Sequence, residues 1–150
     1  MIRIAVCDDE KYFREKIGAL LQEYSSAREF GINVESFASG EEFLASEKKE
    51  MFDVIFLDIN MEGMNGIETA QKIRQFSEDI VLIFITAYVA YSPEGYKVNA
   101  IRYLLKDSDS FKTAFWECMD AVRNKLMVVE KKEKFEFQGK EMVIPLSHIV

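Results

Sequence analysis

Carboxylates close two of the apolar runs in this chain. Asp8-Asp9 follows Ile2-Arg3-Ile4-Ala5-Val6-Cys7, and Asp58 ends Phe52-Asp53-Val54-Ile55-Phe56-Leu57. Two later runs end on Thr86 and on Lys106. A short, wholly apolar run reads as a buried strand. Its last residue then stands at the carboxyl edge of an open parallel sheet, where such sheets bind ligands. Carboxylates gathered at ~4 Å repel one another by roughly 4 kcal/mol at an effective dielectric of 20, so Asp8, Asp9 and Asp58 require a cation. Carboxylates with a backbone carbonyl and waters form an octahedral oxygen site, which suits Mg²⁺. One carboxylate can then act as a nucleophile toward a phosphoryl group. Lys106 would neutralise the phosphoryl oxygens and Thr86 would offer them a hydroxyl, positioning and charge being most of such catalysis.

The elements that must aim these groups alternate along the chain. Strands are expected at Ile2–Cys7, Ile32–Phe37, Asp53–Leu57, Ile80–Ile85 and Ile101–Leu105. Between them Glu10–Ala27 places Phe13, Ile17, Leu20, Leu21 and Tyr24 on one helical face. Ser39 is suited to cap a short helix with Phe43 and Leu44 inward, and Asn65 a helix carrying Ile67, Ala70 and Ile73. Ser92-Pro93-Glu94 is a helix-start signature, which predicts a loop over Tyr88–Tyr91 and a short helix over Pro93–Val98. A final helix from Ser108 to about Val128 aligns Phe111, Phe115, Cys118, Val122 and Leu126. Repeated β/α units with short connections give a doubly wound, five-stranded parallel α/β sheet.

After Val128 the composition shifts. Glu130-Lys131-Lys132-Glu133-Lys134 reads as a solvated linker over 129–134. Phe135-Glu136-Phe137 and Met142-Val143-Ile144, around Gln138-Gly139-Lys140-Glu141, read as a β-hairpin. A lone hairpin is marginal in water, so residues 135–150 are expected to begin a second, truncated domain. A net charge of -7 argues against these 150 residues gripping nucleic acid by themselves. No apolar run approaches the roughly 18–20 residues that cross a bilayer, and no signal peptide opens the chain, so a cytoplasmic protein without membrane contact is expected. Cys7 and Cys118 both sit in apolar patterns and are expected as buried thiols.

With all four strand ends in βα order, the chain resembles a response-regulator receiver domain, the phosphoacceptor half of two-component signalling. The likeness covers residues 1–128 and rests on Val6-Cys7-Asp8-Asp9, Asp53 to Met61, Asn65-Gly66, Thr86-Ala87 and Tyr103-Leu104-Leu105-Lys106. It implies a flavodoxin-like strand order of 2-1-3-4-5. It makes Asp58 the phosphorylated nucleophile, Lys106 the phosphoryl counter-ion, and Thr86 with Tyr103 the switch pair. Asp8, Asp9, Asp58 and the Asn60 carbonyl would hold Mg²⁺. A sensor histidine kinase or a small acyl phosphate would be the donor, and phosphorylation would remodel the face built from the fourth helix, fifth strand and fifth helix. Gly95 to Lys106 is similar to receivers coupled to a LytTR-type DNA-binding domain, so DNA would be met only through the output domain. The resemblance implies a signalling domain, with at most slow autophosphorylation and autodephosphorylation, rather than an enzyme.

Two departures from the receiver pattern stand out. Asp107 replaces the usual proline after Lys106, which favours a trans peptide there, and it is expected to cap the final helix. Glu62 stands where proline is common. Two other readings remain open. One is a stand-alone receiver acting through protein contacts. The other is a haloacid-dehalogenase-like phosphohydrolase, which would have an aspartate where this chain has Asn60. Aspartates at strand ends are also ordinary turn residues. Trp116, beside Lys112, Met119 and Arg123, is either the edge of an amphipathic helix or a homodimer contact.

Overall fold

Runs rich in Val, Ile, Leu and Phe pair into the sheet because both of its faces are covered, leaving no polar side for water. The computed structural model describes residues 1–87 and 98–142, with side chains up to Met127. Its strands are β1 (Ile2–Cys7), β2 (Ile32–Phe37), β3 (Val54–Asp58), β4 (Val81–Thr86) and β5 (Arg102–Leu105). All pair in parallel, in the order β2-β1-β3-β4-β5 that the resemblance implied. The register sets Cys7 beside Leu57, Asp58 beside Ile85 and Thr86 beside Leu105, so these strands end at one edge.

Helices fill the crossovers: α1 (Lys11–Arg28), α2 (Gly40–Leu44) and α3 (Gly66–Phe76). Ser39 caps α2 by accepting from the Glu42 amide. Asn65 and Glu68 form a reciprocal capping box at α3. Alternation along the strands divides the core in two. Ala5, Cys7, Ile55, Leu57, Leu82 and Phe84 pack with Phe43 of α2 and with Ile67, Ala70 and Ile73 of α3. Ile4, Val6, Val54, Phe56, Ile83 and Ile85 take the other face, and α1 buries Phe13, Ile17, Leu20, Leu21 and Tyr24. Cys7 and Cys118 are both buried free thiols, and burial pushes the Cys7 pKa up, out of reach of neutral pH. Among the described residues, no helix is long and apolar enough to cross a membrane.

Arg74 closes the gap between α3 and the entry to β5. Its Nε donates to the Val98 carbonyl (2.6 Å), Nη1 to those of Ile80 (2.8 Å) and Ser77 (3.3 Å), and Nη2 to that of Asn99 (3.4 Å). Four carbonyls on one planar fork cannot be matched by an ammonium. Arg74→Ala is therefore expected to cost about 2–3 kcal/mol in urea denaturation, with Arg74→Lys restoring less than half. Equal midpoints for wild type and Arg74→Ala would show that the bridge is not structural.

The carboxyl end differs from expectation. Contacts divide the chain into Met1–Ala114, which holds the sheet and α1–α3, and Phe115–Val150. The final helix runs Phe111–Met142, through the residues read as a linker at 129–134 and as the first strand of a hairpin. Glutamate and lysine are good helix formers, and Glu130 and Lys134 stand at the favourable i,i+4 spacing. No proline interrupts the run, so helix propagates where a charged linker was expected. The helix starts at Phe111 rather than Ser108, which leaves Asp107 exposed and too far upstream to cap it. Ser108 and Ser110 pair their hydroxyls in the turn before it. Among the described residues no peptide bond is cis, so Lys106–Asp107 is trans as expected. Trp116 is half-buried, as the edge of an amphipathic helix would be. Tyr88–Tyr91, most of the expected helix Pro93–Val98, and residues 143–150 lie outside the described residues.

Candidate functional site

Asp8, Asp58 and Lys106 continue the alternation of Val6, Phe56 and Leu104, so the sheet aims all three toward the α1 side of its carboxyl edge. Backbone bonds fix that edge. The Ile59 amide donates to the Ile85 carbonyl (3.1 Å), that of Lys106 to the Thr86 carbonyl (2.7 Å), and that of Asp8 to the Phe37 carbonyl (3.1 Å). Asp8, Asp58, Thr86 and Lys106 are all buried, and they are four of the five buried polar or charged residues described.

The Lys106 ammonium lies among three carboxylates: Glu10 Oε1 at 2.6 Å, Asp8 Oδ2 at 3.0 Å and Asp58 Oδ2 at 3.4 Å. The Phe13 ring walls it from behind, 4.5 Å from its centroid. Three partners hold the lysine pKa above its ordinary value in spite of burial. Burial and the neighbouring Asp8 charge push the Asp58 carboxyl up to about 7, against the pull of Lys106 and of the Asn60 amide, which donates to Oδ1 at 3.2 Å. Asp8 is fixed at both ends. Its Oδ1 accepts from the Glu10 amide (2.8 Å), and its carbonyl from Arg14 Nη1 (2.8 Å). Asp8 Oδ2 is buried and faces the Lys106 ammonium at 3.0 Å, with no other partner among the described residues.

A bound cation would supply this oxygen with a second positive partner beside Lys106. Oxygens of Asp8, Glu10 and Asp58 lie within 4.8 Å of one another, a donor set that fits Mg²⁺. Asp9 is not part of this cluster. It is exposed, and its Oδ2 accepts from the Glu62 amide (3.1 Å) in the loop after Asp58. Glu41 of α2 holds the same loop through the Met64 amide (3.0 Å). Thr86 continues the opposite strand parity, beyond Phe84. Tyr103 is half-buried on that side, its ring tilted 38° against Phe84 at 5.3 Å. Glu10 is the residue that sequence reasoning missed. The signal available is a third acid in Asp8-Asp9-Glu10, although by pattern Glu10 marks only the start of a helix.

The pattern of the response regulator receiver domain matches residues 4–113. The chain is 35% identical, over 99% of its length, to the sensory transduction protein LytT of Oceanobacillus iheyensis, and covers 61% of that protein. It is 30% identical over 70% of its length to the transcriptional regulatory protein YpdB of Escherichia coli, covering 41% of it. It thus spans less than two thirds of the length of these curated relatives. Among solved structures, the response regulator TrrA of Thermotoga maritima, in complex with Mg²⁺-BeF, superposes with a TM-score of 0.67. That pair is 31% identical, covering 81% of this chain and 99% of the other.

Proposed function

The chain belongs to the response regulator receiver domain family, and on that premise we propose that Asp58 accepts a phosphoryl group from a sensor histidine kinase or a small acyl phosphate. The observation that carries the reading is the meeting of Asp8, Asp58 and Lys106, brought from the ends of three strands to one buried point. An Asp58 oxygen attacks phosphorus, and the bond from phosphorus to the donor nitrogen or oxygen breaks. Asp8 and Asp58 would hold Mg²⁺, with the Asn60 carbonyl and with Asp9 once its side chain leaves the Glu62 amide. When bound, the ion supplies positive charge that offsets the carboxylates and the phosphoryl oxygens.

The chain's own residues do the rest. Lys106 pairs with a phosphoryl oxygen, the Thr86 hydroxyl donates to another, and Tyr103 turns inward along Phe84. The new group adds about -1.5 to -2 charges, enough with strong acceptor oxygens to bias a two-state face. The output is transcriptional, through a LytTR-type DNA-binding domain in the longer protein, with residues 135–150 leading into it. The names and greater length of the LytT and YpdB relatives support that output. The cytoplasm is the compartment in which such a kinase and DNA would be met.

Incubation with acetyl phosphate and Mg²⁺ is expected to add about 80 Da at Asp58. Asp58→Asn should take no adduct. A wild-type mass that stays unchanged, together with no binding of beryllofluoride, would falsify the phosphoacceptor reading. An adduct that turns over rapidly with many phosphate esters would instead favour a phosphohydrolase.

A further inference from the structure

The shortest ion pair at the site belongs to Glu10, whose carboxylate lies in the oxygen cluster but takes no step in the phosphoryl transfer above. Glu10 Oε1 stands 2.6 Å from Lys106 Nζ, nearer than either Asp8 or Asp58. Glu10 occupies the N-cap position of α1 with extended backbone angles, yet its side chain makes no capping bond. Its backbone is fixed, the amide on Asp8 Oδ1 and the carbonyl accepting from the Phe13 and Arg14 amides at 3.1 Å. Its side chain is 60% exposed, whereas that of Lys106 is only 5% exposed. One partner is therefore free to swing into water and the other is confined to the pocket. The three distances rank Lys106 closest to the group outside the pocket and farthest from the nucleophile. Lys106 does donate to Asp58 Oδ2, but over the longest of its three contacts, 3.4 Å against 2.6 Å to Glu10.

From this asymmetry we infer that Glu10 is a positioning residue, which holds Lys106 back from Asp58 in the unphosphorylated protein and releases it as the phosphoryl group arrives. The inference rests on Asp58 being the phosphoacceptor. Glu10 then sets how fast Asp58 is loaded, since each loading event must break the Glu10–Lys106 contact. Reach matters as well as charge. Aspartate at this position keeps the charge, and it is a favoured N-cap residue, so α1 is retained. It is one methylene too short to hold Lys106.

The test follows adduct formation by mass spectrometry at saturating Mg²⁺, with phosphoramidate varied as donor, for wild type, Glu10→Asp and Glu10→Gln. Both variants are expected to raise the maximal loading rate by about three- to ten-fold, with the half-saturating donor concentration unchanged for Glu10→Asp. A residue acting only through its negative charge would instead leave Glu10→Asp at the wild-type rate and lower half-saturation in Glu10→Gln. That result overturns the inference, as does an unchanged or slower maximal rate in both variants. A wild type that takes no adduct overturns the phosphoacceptor reading together with this one. A wild type that loads while Glu10→Asp loads no faster overturns this one alone.

Discussion

Asp58→Asn is expected to stabilise the metal-free protein at pH 8 by about 2–3 kcal/mol while abolishing phosphoacceptance. The Asp58 carboxylate is 3% exposed and shares its pocket with Asp8, so its charged form lacks both water and a neutral surrounding. Lys106 at 3.4 Å offsets part of this, but it also serves Glu10 and Asp8. The sign follows from where the proton sits. With the folded-state carboxyl raised to about 7 from an ordinary 3.8, the folded protein keeps a proton that the unfolded chain loses as pH climbs between those values. Stability therefore falls with rising pH across that window and levels off above pH ~7. A shift of this size caps the loss at about 4 kcal/mol, and relaxation of the pocket brings the expected figure lower. Asparagine has no such proton, so the gap between variant and wild type should be small near pH 4.5 and full at pH 8, read by urea denaturation. Added Mg²⁺ binds the native wild type and should narrow the gap. A gap that is equal at both pH values would show that the carboxylate is not under electrostatic strain.

The residues under that strain were legible in the sequence for a simple reason. Asp8, Asp58, Thr86 and Lys106 each end an apolar run, and a parallel sheet with short crossovers must bring such ends to one edge. The caps at Ser39 and Asn65 were readable on the same local grounds, whereas the strand order came from the resemblance to receiver domains. Glu10 was not legible, because its role depends on a side chain turning from the start of α1 to the lysine just after β5, a choice that no periodicity encodes. Asp9 illustrates the converse. The acidic pair reads as two ligands of one ion, but consecutive residues at a strand end point to different sides, so without the ion Asp8 is buried beside Lys106 while Asp9 reaches the Glu62 amide. The tract after Val128 misled because local patterns compete there. Phe135-Glu136-Phe137 alternates as a strand does, yet it follows a run of strong helix formers with no stop signal.

Gly66→Ala is expected to cost about 2–4 kcal/mol and to slow the loading of Asp58 at least ten-fold, although residue 66 makes no contact with the carboxylate pocket. A methyl group there would lie 2.8 Å from Ile59 Cα and 2.9 Å from the Asp58 carbonyl carbon, and would press on the Asp58 carbonyl oxygen. These are backbone atoms of the strand end itself, so no rotamer change relieves the clash. Nor can α3 simply retreat, because the Gly66 amide donates to the Ile59 carbonyl at 2.9 Å and the Asn65–Glu68 capping box fixes the first turn. Either that bond breaks or the Asp58–Asn60 segment moves, and with it the amide that supports Asp58 Oδ1. Gly18→Ala is the matched control, since a methyl group at that position on α1 meets nothing within 4 Å. It should stabilise by about 0.5–1 kcal/mol and leave loading unchanged. If Gly66→Ala instead folds and accepts phosphoryl groups as Gly18→Ala does, then the start of α3 does not hold Asp58 in place. The nucleophile's position must in that case come from the sheet alone, through the Ile59–Ile85 bond and the register with β4.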